Sequence, residues 1–204
     1  MTGMETEEED TEVVFKKAAL RTRMLASRRL IPERSRAEMS QSIAGYVLGL
    51  PEILTANCIH LYLAISSHAE VDTAPIVEGL GAMGKEISVP VIRDGKLFSA
   101  AFRKGDSLQP AQFGLPEPAV VLMIDELQLD VVLMPLLAYD RKGYRLGYGK
   151  GFYDFFLRRL SMQGRKPCRI GLSFSRQMVD ELPLNQWDEA LDGVVHEHGI
   201  IRFT

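Results

Sequence analysis

Cysteine is scarce: Cys58 and Cys168 are the two in 204 residues. Both lie in apolar runs that read as buried strands, which argues against a disulfide framework and favours a reducing, cytoplasmic setting. Long apolar runs are also missing. The best candidates are broken by Asp130, Pro135 and Asp140, short of the roughly 18–20 residues that a bilayer-spanning helix needs, so no membrane partner is expected. Residues 1–12 contain no base and no apolar stretch, unlike a secretory signal. No internal repeat occurs, and no convincing Ser-His-Asp or Cys-His set, so no side chain is expected to act as a covalent nucleophile.

What is present bounds the molecule. A chain that is 46% hydrophobic and 25% charged is long enough for one substantial core and short for two domains. Six acids (Glu5, Glu7, Glu8, Glu9, Asp10 and Glu12) crowd the first twelve residues of a chain whose net charge is −3. The remainder is therefore mildly basic, which suits a small polyanionic ligand better than a nucleic-acid duplex. The expected organisation is a disordered acidic tail, 1–12, and a single domain, 13–204, acting as a monomer.

Val14, Ala18 and Leu25 recur at helical spacing among Lys16, Lys17, Arg21, Arg28 and Arg29, a pattern that predicts a basic amphipathic helix over 13–30 with a solvated polar face. Pro32 opens a second helix that runs to about Gly49. A strand over 58–65, a helix after Thr73 and a strand over 87–92 follow. The Asp94-Gly95 turn then starts an antiparallel hairpin over 97–102. FGLPEP, 113–118, reads as a stiff loop without regular structure. Val131–Met134 is continuously apolar, as in a strand covered on both faces. A helix over 152–163, a strand over 169–174, a short helix and a terminal strand near 194–203 complete an α/β pattern. The expected fold is a single three-layer domain with a mostly parallel mixed sheet and helices on both faces.

Between that buried strand and the 152–163 helix lies 140–154, with glycines at 143, 147, 149 and 151 and bases at 141, 142, 145 and 150. Glycine lets backbone amides approach an anion, and the following helix start adds its positive end. Arg145 offers a planar fork and Lys150 a compact mobile charge. Asp154 falls in the first helical turn, where capping and a contact to a phosphate-bound magnesium ion are both open. The spacing is neither that of the dinucleotide fingerprint nor that of the P-loop, so it indicates phosphate without naming the ligand.

The run RLGYGKGFYD, Arg145–Asp154, resembles the signature of the 5-formyltetrahydrofolate cyclo-ligase family. KAALR with Lys17 and Arg21, EVDT with Glu70, SVPVIR with Pro90, FGLPEP, and PLNQWD ending in Asp188 stand in the family's order, so the likeness covers nearly all of the chain after Val13. The resemblance implies ATP-dependent closure of 5-formyltetrahydrofolate to 5,10-methenyltetrahydrofolate. The formyl oxygen attacks the γ-phosphate, N10 adds to the activated carbon, and phosphate leaves. It also implies an ATP site of Lys17, Arg21, Arg145, Leu146, Gly147, Tyr148, Gly149, Lys150, Gly151, Phe152 and Tyr153, with Lys150 and Arg145 catalytic. The implied Mg²⁺ ligands are Asp154 and Asp188. Glu70, Phe113, Tyr148, Gly149, Lys150, Gly151 and Phe152 are implied for the folate, with capping beside Thr73 as the alternative for Glu70. Phe113 and Phe152 stand where some relatives have Trp and Tyr, keeping a stacking surface and dropping a polar handle at each.

Other signals carry less. Gly79–Lys85 has P-loop spacing, but Glu86 stands where a hydroxyl is needed and the segment runs from helix to strand, so it reads as a helix cap. His196 and His198 share a face if their segment is a strand, without a third ligand. A binding module of the same family without turnover, or an isomerase or acyl-transfer enzyme on a similar sheet, are the competing functional readings.

Overall fold

The structure, a computed structural model, describes residues 3–203. Met1 and Thr2 of the expected tail, Thr204, and the side chains of residues 3–10 lie outside the described residues. The first helix, α1 (Gly3–Arg29), starts well ahead of Val13, so the segment expected to be a disordered tail is helical from Gly3. Glutamate is a good helix former, and its charge is favoured at a helix N-terminus. Helices α2 (Glu33–Leu48) and α3 (Pro51–Thr55) lead to β1 (Cys58–Leu61), which ends four residues before the predicted boundary at Ile65. Then come α4 (Ala74–Ala82), β2 (Glu86–Arg93) and β3 (Lys96–Phe102). The chain leaves α4 through Gly84 at φ 69°, the helix cap that the P-loop-like spacing conceals.

FGLPEP is more regular than expected. Pro116–Pro118 forms β5, paired antiparallel with β4 (Leu108–Pro110). Prolines suit an isolated two-stranded ribbon because half of its amides face solvent. Next are β6 (Val131–Pro135), the short antiparallel pair β7 (Ala138–Tyr139) and β8 (Arg145–Leu146), α5 (Phe152–Met162) and β9 (Cys168–Leu172). The predicted single terminal strand is a hairpin of β10 (Gly193–His196) and β11 (Gly199–Arg202), turned at Gly199 with φ 137°. The left-handed Gly199 follows the polar His196-Glu197-His198 and turns the chain back on itself.

The main sheet has the order β11-β10-β9-β6-β1-β2-β3. Its five inner strands are parallel, and β3 and β11 close the edges antiparallel. Alternation along the strands sorts the core into two layers. Ile59, Leu61, Leu133 and Leu172 pack with α2 and α4 on one face, and Cys58, Val132, Met134 and Val194 pack with α5 on the other. Gly171 in β9 lies under Leu136 and Leu191, whose methyl carbons would stand 2.6 and 2.8 Å from an added Cβ. His60 in β1 is fully buried, with Nδ1 3.3 Å from Ser88 Oγ and 3.0 Å from Ser99 Oγ, and burial lowers its pKa to about 3. No helix among the described residues is long and apolar enough to cross a membrane.

Two outcomes are expected. Gly171→Ala overfills a closed core layer and lowers the free energy of unfolding in urea by about 1–3 kcal/mol. His60 takes no proton in the native state until far below its unfolded value of 6.5, so stability is lost as pH falls through the window between the two values, by up to about 1.4 kcal/mol per pH unit. His60→Gln flattens this part of the stability–pH curve; an unchanged slope would show that other groups set it.

Candidate active site

Strand order locates the site. From β1 the chain moves outward to β2 and β3, whereas from β6 it moves the other way, to β9 and β10. The direction reverses between β1 and β6, and in open α/β sheets ligands bind beyond the carboxyl ends of the strands at such a point. A cavity of about 580 Å³ lies there, its wall including Tyr62 and Leu63 just after β1 and Pro135 at the end of β6. All fifteen residues implied by the resemblance line it.

The glycine segment is held from behind. Asp140 is buried, and one carboxylate oxygen accepts from Lys142 N at 2.9 Å and Tyr144 N at 3.0 Å while the other accepts from Leu182 N at 3.2 Å. From Leu146 the chain reaches α5 through Gly147–Gly151, with Gly149 at φ 90° and Gly151 at φ 66°. Among the described residues the backbone N–H groups of Tyr148 to Asp154 donate to no protein acceptor. Consecutive free amides at a helix start, facing a cavity, form an anion cradle.

Helix α1 runs along this cradle. Lys17, Arg21 and Arg28 fall within about 40° on the helix surface and span about 16 Å of its axis. Lys17 Nζ bonds Asn185 Oδ1 at 2.7 Å and Asp188 Oδ2 at 2.5 Å. Arg21 Nε bonds Gly147 O at 2.9 Å, and its guanidinium lies under Gly149, 3.1 Å from where a Cβ would be. Burial lowers the pKa of Arg21, against the pull of Asp188.

Arg28, expected on the solvated face, is instead 2% exposed. It donates to His68 O, Leu136 O and the Tyr148 hydroxyl, and Tyr148 donates in turn to Glu70. The other Glu70 oxygen accepts from Ile65 N at 2.7 Å, so Glu70 is not a cap beside Thr73. Burial and the neighbouring Glu70 carboxylate raise the Tyr148 pKa, keeping its proton on the hydroxyl that donates. The spacing of Arg28 from Lys17 and Arg21 was the available signal; composition alone reads such a residue as solvated.

Arg145 also departs from expectation. Its side chain is 4% exposed, and its fork is taken up by Glu189 O at 2.9 Å and Asp154 Oδ1 at 2.7 Å, so it fixes Asp154 rather than standing free. Asp154 therefore does not cap its helix. Asp154 Oδ2 and Asp188 Oδ1 have no partner among the described residues, while the opposite oxygens are held by Arg145 and Lys17. Two such oxygens fit Mg²⁺ carried in on phosphates and keeping waters, not a metal caged by protein. In keeping with this, no group of three or more His, Cys, Asp or Glu able to hold a metal occurs among the described residues, His196 and His198 included.

Lys150 is exposed, with Nζ 4.9 Å from the Phe113 ring centroid. Phe113 takes φ 60°, a strained backbone for a bulky side chain, and its ring lies 5.6 Å from Phe152. The Tyr153 hydroxyl is buried in the wall without a partner, and burial raises its pKa. His68, stacked 5.0 Å from Tyr148, and Trp187, with Arg158 4.6 Å over its ring, are cavity residues that the sequence motifs do not single out.

A model of the 5-formyltetrahydrofolate cyclo-ligase family matches residues 13–197. The chain belongs to the 5-formyltetrahydrofolate cyclo-ligase family. Within that family it is 32% identical to the 5-formyltetrahydrofolate cyclo-ligase of Escherichia coli (strain K12) over 173 residues, covering 82% of this chain and 92% of the relative. It is 30% identical to that of Mycolicibacterium smegmatis, covering 88% and 92%. Among solved structures, the solution structure of Aquifex aeolicus 5,10-methenyltetrahydrofolate synthetase superposes with a TM-score of 0.79 at 29% identity, covering 91% of this chain and 92% of the other. The α/β architecture is thus that of the family.

Gly149→Ala tests the cradle. It places a Cβ at a left-handed position and against the Arg21 guanidinium, so nucleotide affinity by calorimetry is expected to fall at least about tenfold, with the melting temperature changed by only a few degrees. Unaltered affinity would show that phosphate does not rest on this turn.

Proposed function

We propose that the cavity converts 5-formyltetrahydrofolate and ATP to 5,10-methenyltetrahydrofolate, ADP and phosphate. The observation that carries this reading is one cavity in which the amides of Tyr148–Asp154, unpaired among the described residues, and an exposed lysine share a wall with a carboxylate, Glu70, in a chain of this family. The formyl group on N5 is amide-like, and its oxygen is a poor leaving group. Transfer of the γ-phosphoryl group to that oxygen releases ADP. N10 then bonds to the formyl carbon and loses its proton, and the carbon–oxygen bond breaks as phosphate departs.

Because no covalent bond to the protein is needed, the residues act by position and charge. The glycine-segment amides, Arg21 and Lys17 hold the triphosphate, and Lys150 leaves the Phe113 ring to follow the transferred group. Arg145 acts through Asp154. Mg²⁺, held by Asp154 and Asp188, neutralises phosphate charge when bound. Glu70, oriented by Tyr148, accepts hydrogen bonds from the pterin, with Phe113 and Phe152 stacking on its flat rings and the unpaired Tyr153 hydroxyl available to a polar atom of either ligand. The reading includes a monomer in a reducing cytoplasm; the reducing setting is supported by two free cysteines, Cys58 and Cys168, whose pKa values burial raises to about 11.

Purified protein with MgATP and 5-formyltetrahydrofolate is expected to produce methenyl absorbance and ADP in equal amounts, each dependent on the other substrate. Lys150→Ala is expected to lower kcat at least about 100-fold without changing the melting temperature, because Lys150 supports no core. Tight binding of both ligands without ADP release would overturn the reading.

A further inference from the structure

At the end of the α1 stripe away from Glu70, the cavity wall has a flat apolar surface whose one ring contact among the described residues is a cation. Trp187 is 56% exposed. It directly precedes Asp188, whose carboxylate is tied to Lys17, and it lines the same cavity as the glycine segment. Arg158, one helical turn beyond Asp154 on α5, stacks its guanidinium 4.6 Å from the indole centroid and has no carboxylate partner among the described residues. Val14, one turn before Lys17, adds a second exposed apolar side chain to this end of the wall.

An indole backed by a cation and open on a cavity is a stacking platform, and every nucleobase offers it a π-face. Position identifies the occupant. Along α1, Arg28 marks the Glu70 end and Arg21 underlies the glycine turn, and Lys17 lies about 6 Å further on. With phosphates on the cradle and the transferred group toward Glu70, the nucleoside must extend toward Lys17. We propose that Trp187, backed by Arg158, is the stacking platform for the base of the nucleotide. This inference rests on the ATP-dependent reading above and adds where, and by which residue, the base is held.

Trp187 is the only tryptophan in the chain, so intrinsic fluorescence reports on the platform directly. With magnesium present, ATP is expected to quench the emission saturably, whereas inorganic tripolyphosphate binds by calorimetry without quenching. Trp187→Leu is expected to weaken ATP binding about tenfold while leaving tripolyphosphate affinity unchanged, and Trp187→Phe to restore most of the loss. Calorimetric ATP binding without a change in emission would overturn the proposal, as would equal weakening of ATP and tripolyphosphate in Trp187→Leu. If the variant weakens 5-formyltetrahydrofolate binding and spares ATP, the platform serves the folate and the proposal fails. If neither ATP nor tripolyphosphate binds the wild-type protein, the ATP-dependent reading itself fails, a result distinct from loss of the base contact alone.

Discussion

Seven consecutive backbone N–H groups, Tyr148 to Asp154, donate to no acceptor among the described residues, and most of the surrounding structure serves to keep them so. Unpaired amides are costly when sealed from water and productive only when an anion replaces it. The segment must therefore be held open and in one shape. Asp140 pins its approach through three backbone amides, left-handed turns at Gly149 and Gly151 aim it, and Arg21 props it from below. The reversal of strand order between β1 and β6 supplies the gap in which it sits.

Charge is distributed to the same end. A pocket that gathered Lys17, Arg21, Arg28, Arg145, Lys150 and Arg158 with no compensation would repel itself before any ligand arrived. Lys17 is neutralised by Asp188 and Arg145 by Asp154, and Arg28 is spent on carbonyls and Tyr148. Lys150 instead rests on the Phe113 ring, a weak attachment that costs little to leave, and Arg158 lies over the Trp187 indole. The cavity therefore holds its cations without strong mutual repulsion, and Lys150 is left with the loosest attachment.

Much of this was legible in the sequence because it rests on local chemistry. Val131–Met134 announces a doubly covered strand, Asp94-Gly95 a hairpin, and the glycines of 140–154 an irregular segment between strand and helix. What escaped depends on what lies opposite. Nothing near Arg28 in the chain says that Leu136 and Tyr148 will enclose it, and nothing near Arg145 says that Glu189 and Asp154 will occupy its fork. A single left-handed glycine at 199, after the polar His196-Glu197-His198, splits the expected terminal strand in two. FGLPEP pairs with Leu108–Pro110 because a ribbon asks for fewer amides than its prolines suggest, and the acidic start joins α1 because glutamate tolerates a helix N-terminus well. The motifs brought fifteen residues to one cavity; which of them are free there and which are bound was decided by tertiary contacts.

The chain of donors from Arg28 through Tyr148 to Glu70 has a practical side. Tyr148 belongs by backbone to the glycine turn and by hydroxyl to the carboxylate at the opposite end of the wall. A ligand that reaches the Glu70 carboxylate would thus meet an acceptor whose orientation is tied to the glycine segment. Anything that moves the turn at Tyr148 would also move what a compound finds at the far end of the wall.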